Sequence, residues 1–228
     1  MKYHNGMRIR STNTNLILLI FEFLRKLFGG SRFDNLFKYI EYETSLIKKK
    51  IGKKITLLDY GCGKLDFTFL LKKKIFINKA VCVDNYQLKH TGLPKNIKYL
   101  DISKSKINFK KNFFDLAIVI DVLHHIGVNN CQKQLQEICH VSKYVIIKDH
   151  FEYSYLSRQL LRLADWYGNY GTEVNIPKKY FTKNEWSGLI KKCKLKQIKI
   201  IHNVKQHTGL FSLILPAKHQ FISVIQKN

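Results

Sequence analysis

The chain is short of proline, arginine, alanine and acid. Its 228 residues hold 3 Pro, 6 Arg and 4 Ala, and 16 Asp and Glu stand against 40 Lys and Arg. No proline- or glycine-rich linker, low-complexity tract or internal repeat divides it. Few arginines means no cluster suited to forked phosphate contacts. The formal net charge of +24 is therefore carried by lysines spread along the chain, such as Lys48 to Lys50, Lys72 to Lys74 and Lys191-Lys192. They read as a solvated surface rather than a nucleic-acid face. Abundant Lys, Ile and Asn beside scarce Ala, Arg and Pro is the pattern of an AT-rich genome.

The five cysteines form no CxxC and no metal-ligand spacing. Their odd number suggests reduced thiols and a cytoplasmic protein. No apolar run is long enough to span a bilayer: Asn15 to Leu24 is short, contains Glu22 and is followed by Arg25-Lys26. No small-residue cleavage site follows it. Residues 14–29 read as a docking helix ended by Gly29-Gly30, with peripheral membrane contact as the alternative.

What is present is alternation. Apolar runs at Ile55–Asp59, Ala80–Asp84, Ile97–Leu100, Phe114–Ile120 and Tyr144–Lys148 predict strands. Helical patterns at Phe33–Lys50, Phe67–Lys73, Cys131–Val141 and Lys183–Cys193 lie around and between them. The order predicts an α/β protein with mostly parallel strands and helices on both faces. Gln197–Ile201 and Gln220–Val224 add an antiparallel pair at the end.

The first strand runs into Asp59-Tyr-Gly-Cys-Gly63. Gly61 and Gly63 permit a tight turn and direct approach of a ligand to backbone. Asp84 closes the second strand 21 residues after Gly63, where an acid can bind ribose hydroxyls. Asp101, Asp121 and Asp149 stand at the next three strand ends, so five acids should line one crevice.

Leu58-Asp-Tyr-Gly-Cys-Gly63, Asp84, Leu100-Asp-Ile102 and Phe114-Asp-Leu-Ala-Ile-Val-Ile-Asp-Val-Leu-His-His-Ile126 together resemble class I S-adenosylmethionine-dependent methyltransferases, over roughly residues 35–226. The likeness is strongest to the small-molecule group that includes quinone-biosynthesis methyltransferases. It implies a Rossmann-like, doubly wound sheet of seven strands with an antiparallel C-terminal strand. Residues 1–32 would form a helical cap and 33–228 the methyltransferase domain. Gly61, Cys62 and Gly63 would line the methionine part of S-adenosyl-L-methionine, with Asp59 orienting that loop. Asp84 and Asn85 would bind the ribose, Asp101 and Ile102 the adenine, and Asp121 the methionine end. One departure stands at Leu65, where the family often has a third glycine. The nicotinamide fingerprint is also missing, since Gly61-x-Gly63-x-x-Asp66 lacks its last glycine.

Methyl transfer needs a base only when the acceptor holds a proton. His124, His125, Asp149 and His150 are the candidates. Two histidines with two acids also offer metal ligands, but no spacing signature marks a metal site and none is expected. The aromatic-rich insertion at 151–186 would form an acceptor lid, with Trp166, Asn169 and Tyr180 as substrate contacts. A small-molecule acceptor methylated on oxygen or carbon is the leading reading. An RNA or DNA methyltransferase is the second. The Asn/Asp-Pro-Pro-aromatic element of base-amino methylation is absent, however, and Asp121-Val-Leu-His stands in its place. A catalytically silent binding protein is the third.

Overall fold

The computed structural model describes residues 12–85, 92–103, 107–127, 130–170, 172, 174–209, 212–213 and 215–227, with 12–31 as backbone apart from Leu19. In chain order the elements are α1 (Thr12–Ile51), β1 (Ile55–Tyr60), α2 (Asp66–Lys73), β2 (Ile77–Asp84), β3 (Ile97–Asp101) and β4 (Phe114–Ile120). Then follow α3 (Leu123–Ile126), α4 (Cys131–Val141), β5 (Ser142–His150), α5 (Tyr155–Asn169), α6 (Lys183–Lys192), β6 (Lys196–His202) and β7 (Gln220–Gln226).

The strands form one seven-stranded sheet in the order β3-β2-β1-β4-β5-β7-β6. β1 pairs in parallel with β2 and β4, and those pair in parallel with β3 and β5. β7 runs antiparallel to both β5 and β6. This is the doubly wound, mostly parallel sheet expected from the alternation.

Period-two alternation assigns side chains to two cores. Leu58, Ala117, Val119, Val145 and Ile147 pack with Leu135 and Ile138 of α4 and with Trp186 and Leu189 of α6. Leu57, Leu116, Ile118 and Ile146 face the other way, onto Leu36, Phe37, Ile40 and Ile47 of α1 and Leu71 of α2. Central strands buried on both faces explain the unbroken apolar runs.

The expected helix stop at Gly29-Gly30 does not occur. α1 is continuous for 40 residues, so the boundary placed at residue 32 falls inside one helix. Each interior glycine costs about 1 kcal/mol relative to alanine, and no proline follows to enforce a break. The actual stop is Gly52, at φ +73° with its N–H donating to the Lys48 carbonyl at 2.9 Å. It is a left-handed cap beside the basic last turn Lys48–Lys50. No helix among the described residues is long and apolar enough to cross a membrane. The side chains expected to give residues 14–29 a membrane contact lie outside the described set, Leu19 excepted.

Candidate functional site

Because β1 to β5 are parallel, their carboxyl ends share one edge of the sheet, and the loops that follow them build the site. The β1 loop is fastened first. Gly61 and Cys62 donate to the Val83 carbonyl at 2.8 and 3.1 Å, and the Gly63 N–H donates to Asp84 Oδ2 at 2.8 Å. Gly61 sits at φ +73°, and a Cβ there would stand 2.3 Å from Val122 Cγ2, in the loop after β4. A side chain at 61 would separate the two loops. At Gly63, φ +48°, a Cβ would meet no atom within 4 Å beyond its chain neighbours. The turn is therefore open on the side where a ligand meets main chain.

Leu65 occupies the position of the missing third glycine. It adopts φ +66°, ψ +16° at the start of α2 and is fully buried. A left-handed non-glycine residue costs about 1–2 kcal/mol, and burying a leucine side chain returns about 1.5–3 kcal/mol. The chain keeps the glycine-like conformation and offsets it with core packing.

The strand-end acids divide into two groups. Asp84 and Asp101 are direct neighbours in the β2–β3 register. Asp101 is half-buried and accepts from the Ser103 N–H at 2.9 Å, and the following Ile102 donates its N–H to the Asp84 carbonyl at 2.9 Å. Asn85 is exposed. Asp59 is buried beneath the loop and accepts from Thr68 Oγ1 at 2.7 Å. Burial, with added repulsion from Asp84, lifts its carboxyl to about 7 against the effect of the Thr68 hydrogen bond.

Asp121 and Asp149 belong to a second network over β4 and β5. Asp121 follows β4 at φ +56°. Its carboxylate binds the fully buried Lys148 ammonium, and Arg32 of α1 at 2.8 Å. Burial alone would raise this acid, but the charges of Lys148 and then Arg32 hold it far below the usual carboxylate range. Asp149 is fully buried and accepts from His124 Nδ1 and from the His150 N–H, both at 2.7 Å. His124 is buried as well. Burial favours its neutral form, but the charge and hydrogen bond of Asp149, with help from Asp165, raise it to about 10. The balance favours the protonated ring, with Asp149 its partner carboxylate. His150, 7 % exposed, is pushed below its ordinary value by burial and then by Lys148. One of its ring nitrogens is 3.4 Å from Lys148 Nζ and the other 3.4 Å from Asp121 Oδ1. His125 is half-buried, with Nδ1 on the Asn175 carbonyl at 3.0 Å.

The segment expected to be a lid is folded back by Glu152. This buried carboxylate accepts two hydrogen bonds from Arg158 at 2.8 and 2.6 Å and one from the Tyr180 N–H at 3.0 Å. Ser154 caps α5. Of the three expected substrate contacts, Trp166 is 45 % exposed and packs edge-on to Tyr170. Asn169 caps its own helix through the Asp165 carbonyl, and Tyr180 is fully buried with its hydroxyl on Asp165 at 2.5 Å.

Arg32, Lys148 and Asp165 were not singled out from sequence as site residues. Lys148 carried a signal, since a lysine directly after the apolar run Tyr144–Ile147 and within the same strand must be paired if buried. Arg32 gave none, because its partner lies 89 positions away.

Residues 58–144 match the family described as a methyltransferase domain. Among solved structures the chain is similar to an S-adenosylmethionine-dependent methyltransferase of Methanosarcina mazei, at 17 % identity and a TM-score of 0.54, over 76 % of this chain and 92 % of that one. It is also similar to the Burkholderia thailandensis 1,6-didemethyltoxoflavin-N1-methyltransferase, solved with 1,6-didemethyltoxoflavin and S-adenosylhomocysteine. That match has 13 % identity and a TM-score of 0.58, over 98 % and 93 % of the two chains. A [4+2]-cyclase, SpnF, matches at 11 % identity and a TM-score of 0.56, over 82 % and 80 %. At these identities the likenesses establish the fold. No curated protein sequence matches.

Proposed function

We propose that this chain is a class I S-adenosylmethionine-dependent methyltransferase, a reading supported by the methyltransferase domain matched at residues 58–144, and that it methylates a small-molecule acceptor on oxygen or carbon. The observation that carries the reading is the open turn at Gly63, latched onto the Asp84 carboxylate at 2.8 Å and followed in register by Asp101. S-adenosylmethionine, when bound, supplies an electrophilic methyl group. The residues present fit it. Asp84 and Asn85 would accept the ribose hydroxyls, and Asp101 with Ile102 would receive the adenine. Gly61 to Gly63, above Asp59, would carry the methionine end toward Asp121.

The rest of the task is orientation, exclusion of water and proton removal. The acceptor would lie over β4 and β5, beneath α5. His150 is the group to take its proton, because burial and Lys148 keep it neutral near pH 7. Asp121 stands 3.4 Å from the ring to stabilise the charge that forms. His124 and Asp149 are locked together and position that ring. Trp166 of α5 would offer such an acceptor a flat apolar face, and the small molecule bound in the toxoflavin-precursor methyltransferase supports an acceptor of that size. A basic concavity of about 500 Å³ is lined by Lys48, Lys49, Lys53, Lys54 and Phe76. It lies at the start of β1, the sheet edge opposite the acids. Its charge is misplaced for presenting a nucleic acid to the methyl group. A cytoplasmic location accords with five buried thiols.

The reading is tested by incubating purified protein with a labelled methyl donor and a metabolite extract. Label should appear in a small molecule. Label in RNA, lost steeply with added salt, supports the nucleic-acid reading instead. Asp84→Ala is expected to weaken S-adenosylmethionine binding by about 1–3 kcal/mol, since paired hydroxyl acceptors are lost. Unchanged affinity by calorimetry removes Asp84 from the ribose site.

A further inference from the structure

His124, His125 and Asp165 bring ring nitrogens and a carboxylate together where α3 meets α5. One donor atom from each lies within 4.8 Å of the others. His124 Nε2 is buried without a hydrogen-bond partner, yet stands 3.4 Å from Asp165 Oδ2. Two ligands in a tetrahedral site with bonds of about 2.0–2.2 Å are separated by roughly that distance.

The groups behind these three are also in place. Asp149 holds His124 Nδ1 at 2.7 Å. The Asn175 carbonyl holds His125 Nδ1 at 3.0 Å. A carbonyl can only accept, so Nδ1 of His125 carries the hydrogen and Nε2 the lone pair. The Tyr180 hydroxyl donates to Asp165 at 2.5 Å. Histidines tethered through the far nitrogen, with a hydrogen-bonded carboxylate, make up the outer shell typical of metal ligands.

We propose that His124, His125 and Asp165 bind one divalent transition-metal ion, which takes the place of the proton on His124 Nε2 and releases it to solvent, with Zn²⁺ the best match to two imidazoles and a carboxylate. The ion would pin α5, and with it the lid, to the short helix after β4. The side chains of His125 and Asp165 are only partly buried, so an ion has access. A second grouping, His124 with Asp149 and His150, also has its donor atoms within 4.8 Å of one another. It is the poorer site, because Asp149 already serves two donors and the Lys148 ammonium stands 3.4 Å from His150. The proposal does not depend on methyl transfer: a chain that binds no S-adenosylmethionine could still hold the ion.

The test uses the full chain, stripped with chelator and titrated with Zn²⁺ by calorimetry, with thermal melts in parallel. One equivalent should bind and raise the melting temperature. His125→Ala and Asp165→Asn should each weaken binding at least tenfold and abolish the thermal shift. Tyr180→Phe, which removes only the supporting hydroxyl, should weaken binding about 10–100-fold and remains informative if the ligand variants misfold. His150→Ala should bind as the parent does. Failure to bind one equivalent overturns the site, as does binding indifferent to residues 125, 165 and 180. Loss in His150→Ala with retention in His125→Ala overturns it in favour of the second grouping.

Discussion

Turnover of a His150→Ala chain is expected to fall by about 10²–10⁴-fold, with affinity for S-adenosylmethionine changed little. The ring sits at the last residue of β5, buried against the Asp121 carboxylate, and β4 stands between that strand and β1 with its Gly61–Gly63 turn. Its displacement from the ordinary value is downward, first through burial and next through Lys148. A group of that kind is already neutral at pH 7 and can accept a proton. The parent rate should rise as pH climbs through a value below about 6.5 and then level, and that limb should vanish in the variant. Full activity in His150→Ala would show that the acceptor sheds no proton to this ring. A loss confined to cofactor affinity would place the ring in the wrong half of the crevice.

Asp59→Asn should make the folded chain more stable above pH 7 while weakening cofactor binding. The folded carboxyl titrates at about 7, against an ordinary value of 3.8. Unfolded chains release that proton near pH 4, so stability is lost as pH rises from about 4 through about 7. At 1.36 kcal/mol per unit the loss is on the order of 4 kcal/mol by pH 8. Asparagine still accepts from Thr68 but cannot ionise. Urea melts should therefore show the variant ahead of its parent at pH 8 and the gap closing toward pH 4. Parallel pH profiles for the two chains would mean that Asp59 does not titrate in this window. Stability given up at a binding carboxylate is a familiar trade.

The β-framework was readable wherever burial on both faces produced an unbroken apolar run. β4 has the predicted ends, Phe114 and Ile120. β5 was cut short on both sides, because Ser142-Lys143 and Asp149-His150 look like loop residues. Within the sheet those polar groups meet partners from distant segments, such as Asp115 for Lys143 and His124 for Asp149. Gly29-Gly30 misled for the opposite reason: propensity is local, and α1 is held by packing of Leu36 to Ile47 on the sheet. The glycine turn and Asp84 could be read as a ligand cradle because turn chemistry is written in consecutive residues. The pairing of Arg32 and Lys148 through Asp121 could not, since no periodicity links positions so far apart. Nor could the support for His125, which comes from a main-chain carbonyl that any residue at 175 would provide.

The Arg32–Asp121 clasp carries a consequence for biosynthesis. A nascent chain makes the long first helix well before its anchor, which emerges 89 residues later, and Lys148 later still. The first helix therefore stays unfastened at this point on the ribosome until β4 and β5 have been made, while α5, α6, β6 and β7 are still to come.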